Sequence, residues 1–459
     1  MLVSSSHRLI LTGILAVHIA HAPRSQAQTP ADPTTVSPAS HLQTQIDSLQ
    51  AQMDQLRAQT PSPSPASEQL DQIQAQIETL AAEVESLRLN QTQPIPELSP
   101  EKGLAPAAAK VYKSPGGVSL GGYGEMIYSH ENGAANDQFD FLRAIAYIGY
   151  KFNESWVFNS EIEFEHASTG EEGEASVEFA YIDYLFRPEL NFRGGLLLMP
   201  MGFINEQHEP TTFLGARRPE IERAIIPSTW RENGVGIYGD HGPLQYRTYV
   251  VNGMDASGFE PSGIRGGRQD GSKAKAEDLA WVGRLDWEGL PGLTIGGSAY
   301  YGNSGQDIES DIGSDLEVET GIVEGHLQYQ WNGWEFRGLA AWAQVGDAEE
   351  LNHALELPEQ ETVGEEMAGY YLQLGYDLLA SRSNLNQALI PFLRWEDFNT
   401  QEEVPSAFSP DPAYDLEILT LGLQYLPIPQ LVLKADYQNI SDARDDTIDR
   451  VNLGVGYVF

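Results

Sequence analysis

The sequence predicts an all-β fold, a transmembrane antiparallel β-barrel of 16 strands that follows a short N-terminal coiled-coil or helical segment. Three observations predict it. Strand-like runs of about ten residues recur, the length that a tilted strand needs to cross a membrane. Their connections alternate between short turns and mostly long loops, and the strands have one apolar and one polar face. After residue 22 no run approaches ~18 consecutive apolar residues, so no helical membrane span is expected.

Composition excludes several classes of function. The chain has 459 residues, with 27 Lys and Arg against 66 Asp and Glu, which gives a formal net charge of −39. Such a polyanion lacks the basic face that nucleic-acid binding requires, so no nucleic-acid partner is expected. Cysteine is absent, which rules out disulfides and cysteine-based metal sites and fits an exported bacterial protein.

The N-terminus predicts export. His7 and Arg8 precede a mostly apolar run at 9–20, which is too short to span a bilayer comfortably. Small residues at Ser25 and Ala27 fit a cleavage site, so residues 1–27 are predicted to be a signal peptide. The alternative is an uncleaved membrane-anchoring helix.

Residues 28–115 are predicted to form a periplasmic coiled coil and Pro-rich linker. Apolar residues repeat in two heptad blocks, at 42–56 and 70–87, which are separated by prolines that break the helix. Each block has only about two to three heptads, marginal alone but compatible with an oligomeric stalk that contacts peptidoglycan. A partly helical, mostly disordered linker is the alternative. The five prolines within 90–115 indicate an extended joint.

Residues 116–459 are predicted to form the barrel domain. Its expected strands are 117–130, 138–152, 155–168, 174–187, 190–200, 233–240, 244–252, 279–288, 292–303, 318–331, 333–345, 367–380, 387–398, 414–426, 429–440 and 448–459. Seven short turns alternate with eight mostly long loops, as in an up-and-down membrane barrel. This alternation predicts that both ends of the barrel chain lie on the periplasmic side.

Side-chain alternation predicts a lipid-facing exterior. Within 279–288, Trp281 and Leu285 share one face, whereas Arg284 and Asp286 share the other. Apolar residues outside and charged residues inside are the reverse of the arrangement in a soluble barrel, which has a dry apolar interior. A hydrated lumen is therefore expected. Aromatic residues near strand ends suit the two membrane interfaces. The terminal Phe459 resembles the C-terminal assembly signal of outer-membrane barrels, which indicates the outer membrane of a Gram-negative-type bacterium, in contact with lipid and lipopolysaccharide.

The longest connection, at 201–232, is predicted to carry the pore site because it follows the fifth strand, where trimeric porins fold a loop into the pore. It combines basic and acidic side chains: Arg217, Arg218, Arg223 and Arg231 with Glu220, Glu222 and Glu232. Guanidinium groups at a narrow point attract and orient anions through a fixed fork of donors. Alternatively, these arginines pair with the neighbouring glutamates and pin the loop to the wall.

Two runs in this part of the chain carry a family resemblance. The run 217–220 reads Arg-Arg-Pro-Glu, and the run 226–234 reads Ile-Pro-Ser-Thr-Trp-Arg-Glu-Asn-Gly. With the sixteen predicted strands and Phe459, the chain resembles the phosphate-selective porin O and P family over roughly residues 115–459. The resemblance implies a homotrimer of sixteen-stranded barrels with inward-folded loops and an anion pathway lined by Arg and Lys.

Strand alternation identifies basic residues that should face this pathway. They are Arg143, Lys151, Arg193, Arg247, Arg284, Arg337, Arg394, Lys434 and Arg450. The outer loops depart from the family pattern, because 303–319, 346–366 and 397–417 carry six, eight and six acidic residues and no Lys or Arg. Only the loop at 253–278 offers cations, among them Arg265 and Arg268, and it carries five acids as well.

These features predict a porin for passive diffusion of small hydrophilic solutes and ions, including anions such as phosphate, whose selectivity depends on both the basic lumen and the acidic outer loops. The alternative is a structural tether between the outer membrane and the cell wall that uses the coiled coil. No cofactor is expected, and no enzymatic activity is predicted because the sequence places no nucleophile beside a base; an outer-membrane enzyme is the further alternative, which a hydrolase assay on the purified protein would detect. Glu206, His208 and Glu209 are metal-ligand types, but no i, i+4 His pair on a helix accompanies them, so no metal site is predicted.

Overall fold

The computed structural model describes residues 100–167, 173–310, 313, 315–358, 361–382 and 385–459. The predicted signal peptide and the coiled-coil blocks lie outside the described residues and stay predictions. The described chain forms a closed barrel in which each strand pairs with its sequence neighbours. The first strand closes the barrel by pairing antiparallel with the sixteenth. The predicted sixteen-stranded all-β barrel is therefore confirmed.

The strand bounds agree with the predicted spans to within a few residues at most ends. They are β1 Gly117–Glu131, β2 Gln138–Lys151, β3 Trp156–Glu165, β4 Ala175–Arg187, β5 Leu190–Leu198, β6 Arg231–His241, β7 Leu244–Asn252, β8 Leu279–Leu290, β9 Leu293–Asn303, β10 Glu319–Trp331, β11 Trp334–Val345, β12 Glu366–Tyr376, β13 Ala388–Glu403, β14 Asp415–Ile428, β15 Leu431–Asp442 and β16 Thr447–Val458.

Within the described residues, three short α-helices lie between or before the strands: α1 Lys110–Lys113, α2 Ile221–Ala224 and α3 Ala348–Ala354. In the described part of the chain, no helix is long and apolar enough to cross a bilayer. The end of the barrel with the long loops is called the outer end here, and the end with the short turns is called the periplasmic end.

The exterior of the barrel is apolar, as strand alternation predicts. In β8, Leu279, Trp281 and Leu285 are exposed, whereas the alternate residues Arg284 and Asp286 are buried in the lumen. At the periplasmic ends of strands, aromatic rings pair on the outer surface: Trp156 with Tyr184 at 4.7 Å and Trp334 with Tyr376 at 4.6 Å between centroids. Such rings suit the boundary between lipid and water.

The C-terminus completes the closure. Phe459 exchanges two backbone hydrogen bonds with Gly122 of β1, at 2.8 and 3.0 Å. A Cβ atom at Gly122 would lie 2.7 Å from the Phe459 ring and 2.2 Å from the Ile145 carbonyl oxygen. Only glycine allows the last residue to pack against β1 here.

Protein segments occupy part of the barrel lumen. A cluster of buried apolar side chains lies inside the barrel, formed by the loop after β5, by residues 104–112 and by inward-facing strand residues such as Tyr249 and Tyr300. Sixteen strands enclose more volume than their own side chains fill. The loop after β5 and residues 104–112 therefore enter the lumen and supply packing that the wall cannot.

Candidate functional site

The loop that connects β5 to β6, residues 199–230, folds into the barrel and is called the inward loop. Its apolar side chains Met199, Ile204, Ile225 and Ile226 are fully buried. Trp230 packs edge-on against Tyr300 of β9, at 4.8 Å between ring centroids. Because the loop carries its own apolar core, it forms a fixed partition inside the barrel.

Basic residues of the barrel wall bind the backbone of this loop. Each donates to a carbonyl oxygen that would otherwise be buried without a partner. The donor–acceptor pairs are Arg284 with Gly202, Arg337 with Thr212 at 3.2 Å, Arg394 with Leu214 and Arg217 at 3.2 Å each, and Lys434 with Phe213 at 3.0 Å. Four of the nine predicted pathway cations thus support the loop.

Acidic wall residues bind the loop's backbone N–H groups. The Asp436 carboxylate accepts from the Ala216 N–H at 2.6 Å, and the Glu396 carboxylate accepts from the Glu220 N–H at 2.7 Å. Within the loop, the buried Glu222 accepts from the Ile204 N–H at 2.7 Å and from the Tyr371 hydroxyl at 2.9 Å. Glu222, predicted as a constriction residue, therefore holds the loop's conformation.

The other predicted pathway cations also face inward, and their closest charged partners are carboxylates. The pairs are Arg193 with Asp183 at 2.8 Å, Arg247 with Asp286 at 2.9 Å, Arg450 with Glu131 at 2.8 Å, Arg143 with Glu125 and Glu163 at 3.5 Å each, and Lys151 with Glu154 at 3.0 Å. These pairs offset much of the positive charge on the wall. A continuous row of basic side chains along the pore stays a prediction.

The segment 101–113, which the sequence analysis assigned to the linker, lies within the barrel lumen. The Glu209 carboxylate of the inward loop accepts from the Ala107 and Ala108 N–H groups, at 2.8 and 3.1 Å. The Tyr112 hydroxyl of α1 donates to Asp183 of β4 at 2.6 Å. Residues 104–109 are almost entirely buried, so this segment narrows the space beside the inward loop.

Four arginines meet on the outer side of the inward loop. Arg217, Arg218 and Arg223 come from that loop, and Arg265 comes from the outer loop between β7 and β8. They line a cavity of about 320 Å³, called the arginine cavity. From the sequence, Arg265 is identified only as an outer-loop cation, because nothing in the sequence relates position 265 to positions 217–223.

The arginine cavity carries excess positive charge. Five arginines, Arg143 included, and three carboxylates, those of Glu125, Asp140 and Glu220, line it, which leaves two positive charges in excess. Arg217 donates to the neutral side chains of Ser129 and Asn452, at 3.0 and 3.2 Å. Arg218 donates to the Thr229 hydroxyl at 3.0 Å. Neutral acceptors orient these guanidinium groups without offsetting their charge.

The environment of Arg265 also carries excess positive charge. Burial lowers the pKa of Arg265, and the charges of Arg268, Arg223 and Arg218 lower it further. Among the residues that the structure describes, its buried Nη1 atom has no hydrogen-bond partner. A guanidinium group beside other cations with a free N–H donor is suited to an anion.

Of the predicted constriction residues, Glu222 and Arg231 do not line this cavity. Arg231 was placed in the loop, but it is the first residue of β6 and pairs with Glu178 at 3.3 Å and Asp270 at 3.6 Å. The loop ends earlier than predicted because the β5–β6 ladder extends to the pair Leu198–Arg231. Arg223 pairs with Glu220 at 3.4 Å, so the predicted Arg–Glu pairing and the arginine cavity coexist.

A second cavity lies on the periplasmic side of the inward loop. Its volume is also about 320 Å³, and its lining includes Lys102, Arg247, Arg284 and Arg337. Asp240, Asp286 and Glu288 line the same space. The inward loop and the segment 101–113 therefore lie between two polar spaces, as a constriction requires.

Comparison with known proteins identifies one relative by sequence and several solved structures with a similar fold. No family model matches the sequence. An uncharacterized protein of Aquifex aeolicus (strain VF5) is 40% identical over 376 residues, which are 78% of this chain and 84% of that protein. The solved Salmonella typhi OmpF complex with daunomycin matches with a TM-score of 0.50 and 12% identity, over 74% of this chain and 97% of the OmpF chain.

The anion-selective porin from Comamonas acidovorans has a TM-score of 0.47 and 11% identity, over 74% of this chain and 99% of that one. The closed sixteen-stranded barrel and its match to the OmpF structure show a porin-like fold, and its apolar exterior requires lipid around it. The protein is a barrel of the Gram-negative outer membrane. Membership of the phosphate-selective porin O and P family stays a prediction.

Proposed function

The chain belongs to the same family as the uncharacterized Aquifex aeolicus protein, and from its porin-like fold we propose that it is an outer-membrane diffusion channel. Small hydrophilic solutes and ions pass through it, and anions are favoured at the constriction. The observation that carries the anion preference is the arginine cavity, with Arg217, Arg218, Arg223 and Arg265 on one side of the inward loop.

The chemistry of this cavity suits small oxyanions and halides. Guanidinium groups stay charged at any physiological pH and present several N–H donors in one plane. Excess positive charge raises the local concentration of anions and lowers that of cations. Phosphate and chloride both meet these conditions, and the side chains at the cavity bind either by charge and hydrogen bonds alone.

The acidic outer loops oppose this preference. The loops at 303–319, 346–366 and 397–417 carry many carboxylates and no Lys or Arg. Their field reaches about one Debye length, ~8–10 Å near physiological salt, and weakens at higher salt. We therefore expect a modest anion preference that changes with ionic strength, and no strong preference for phosphate over chloride.

Planar-bilayer recording tests this function. Purified protein should form channels whose reversal potential in a KCl gradient has the sign of chloride preference. Replacement of chloride by phosphate should reduce the current without abolishing it. Absence of channels would contradict the diffusion function. Cation preference would contradict the role of the arginine cavity, and a strong preference for phosphate over chloride would contradict the general channel.

We also propose that the protein is a homotrimer whose predicted coiled coil contributes to assembly. Deletion of residues 28–99 removes the predicted stalk and keeps the lumen segment 101–113 in place. If the stalk drives assembly, the deletion variant should run as a monomer on native electrophoresis while its channels persist. Trimers of unchanged stability would assign assembly to the barrel wall, and loss of cell-wall attachment alone would favour the tether.

A further inference from the structure

One buried histidine of the inward loop faces two carboxylates of the barrel wall. The His208 Nε2 atom lies 3.2 Å from Oε1 of Glu161 in β3 and 3.6 Å from Oε2 of Glu178 in β4. One ligand atom from each of the three residues lies within 4.8 Å of the other two. All three side chains are buried.

The hydrogen bond at Nδ1 of His208 determines which ring nitrogen carries the proton and which carries the lone pair. Nδ1 lies 3.0 Å from the Asn205 carbonyl oxygen, which can only accept a hydrogen bond, so Nδ1 carries the proton. In the neutral ring Nε2 is then an acceptor, and it points at two further acceptors. A carbonyl partner on the opposite nitrogen is the usual arrangement of a metal-binding histidine.

Polar atoms around this cluster have no partner. Among the described residues, Glu161 Oε2 and the Tyr123 hydroxyl are buried without a hydrogen bond, whereas the Glu178 carboxylate contacts the side chain of Glu163. Tyr123 is only 1% exposed, and its ring packs edge-on against His208 at 6.1 Å between centroids. Its hydroxyl interacts electrostatically with Glu161. Buried polar atoms without a partner next to this cluster indicate that a further group belongs there.

The distances fit a chelated ion. Two ligands at about 2.1 Å from a tetrahedral metal lie about 3.4 Å apart, and the measured separations from Nε2 are 3.2 and 3.6 Å. We propose that Glu161, Glu178 and His208 bind a divalent transition-metal ion, with Zn²⁺ as its probe. One imidazole and two carboxylates form a ligand set that suits such ions, with a fourth position left for water.

Neighbouring arginines leave the chelating atoms free. Arg231 pairs with Oε1 of Glu178 at 3.3 Å, whereas Oε2 of that residue faces His208. Arg143 pairs with Glu163 and Glu125 and makes no ion pair with the two proposed ligands. Arg218 approaches the backbone oxygen of His208. A bound ion would fasten the inward loop to β3 and β4.

The barrel contains a matched control for this site. His326 is also buried between two carboxylates, but its Nε2 faces Asp286 at 2.8 Å and its Nδ1 faces Glu324 at 2.9 Å. The two carboxylates lie on opposite sides of the ring, and the Arg284 guanidinium lies 3.0 Å from Nε2. This arrangement places a cation beside the histidine and offers no common point for a metal.

Metal content tests the proposal without reference to conductance. Chelator-stripped protein in detergent is equilibrated with Zn²⁺, desalted and analysed by mass spectrometry of the metal. We expect one zinc ion per chain in the wild type and in His326→Gln, and loss of that ion in His208→Gln and Glu178→Gln. Heat-modifiable electrophoretic mobility verifies that each barrel is folded.

Two results would overturn the metal site. One is zinc at background level in the folded wild type, which would leave His208 as a protonated partner of both carboxylates. The other is full zinc binding by His208→Gln. The visible spectrum of the wild type with Co²⁺ gives an independent measurement, because imidazole and carboxylate ligands in a four-coordinate site produce intense bands. This spectrum does not depend on whether any variant folds.

Discussion

Replacement of Arg265 by glutamine tests the arginine cavity most directly. Arg265→Gln removes one positive charge from the cavity wall and keeps a polar side chain of similar length. Arg265 stands beside Arg268, Arg223 and Arg218, whose charges lower its pKa. Loss of its charge should therefore relieve repulsion in the outer loop, and the barrel should fold at least as well as the wild type.

The size of the effect follows from the geometry of the cavity. A sphere of 320 Å³ has a radius of about 4 Å, so a guanidinium group in its wall lies about 6 Å from an ion at the centre, and Coulomb's law in water gives about 0.7 kcal/mol. Screening at 0.1 M salt reduces this to about 0.4 kcal/mol. Anion occupancy then falls about twofold and cation occupancy rises about twofold, so the chloride-to-potassium permeability ratio should fall about three- to fourfold.

The assay is the reversal potential of single channels in a KCl gradient. Lys273→Gln is the matched control, since it removes the same charge from the same outer loop but from a side chain that does not line the cavity. Arg265→Gln should shift the reversal potential toward cation preference, and the shift should vanish near 1 M salt, where the Debye length is about 3 Å. Equal shifts in the two variants would refute the assignment of selectivity to the cavity.

Three further predictions concern the lumen and the wall. Deletion of residues 100–113 should raise single-channel conductance, because it removes the chain that Glu209 and Asp183 hold inside the barrel; unchanged conductance would place the ion path elsewhere. Arg394→Ala should destabilise the barrel by roughly 3–5 kcal/mol because Glu396 stays buried without its cation, whereas the surface variant Arg444→Ala should change stability little in the same thermal unfolding assay. Leu421→Arg on the lipid face of β14 should cost roughly 2–4 kcal/mol on folding into vesicles, against about 0–1 kcal/mol for Glu417→Arg near the end of that strand; similar costs for both would contradict the lipid-facing assignment.

The barrel was predictable because its determinants are local. The alternation of apolar and polar side chains in β3, β8 and β16 is visible within ten residues. The lengths of the connections between strands distinguish short turns from long loops. The nine cations assigned to the lumen all face inward, since parity along a strand decides direction. What these cations bind was not predictable, because the carbonyl oxygens of the inward loop lie many residues away in the chain.

The pore site was predictable only in part. The inward loop was identified from its length and its arginines, and three of those arginines line the outer cavity. Arg265 joins them from another loop, and Glu161 and Glu178 meet His208 from two different strands. Residues separated by 30 to 50 positions carry no sequence signal of their proximity when neither periodicity nor a short motif links them.

For this protein, the sequence by itself determined the strand number, the closed antiparallel barrel, the lipid-facing side and the loop that enters the lumen, because hydrophobic period and connection length are properties of short segments. Only the tertiary structure decided what fills the barrel. The entry of residues 101–113, the pairing of wall cations with carbonyl and carboxylate oxygens, and the excess charge at the arginine cavity all depend on segments that the closure of sixteen strands brings together.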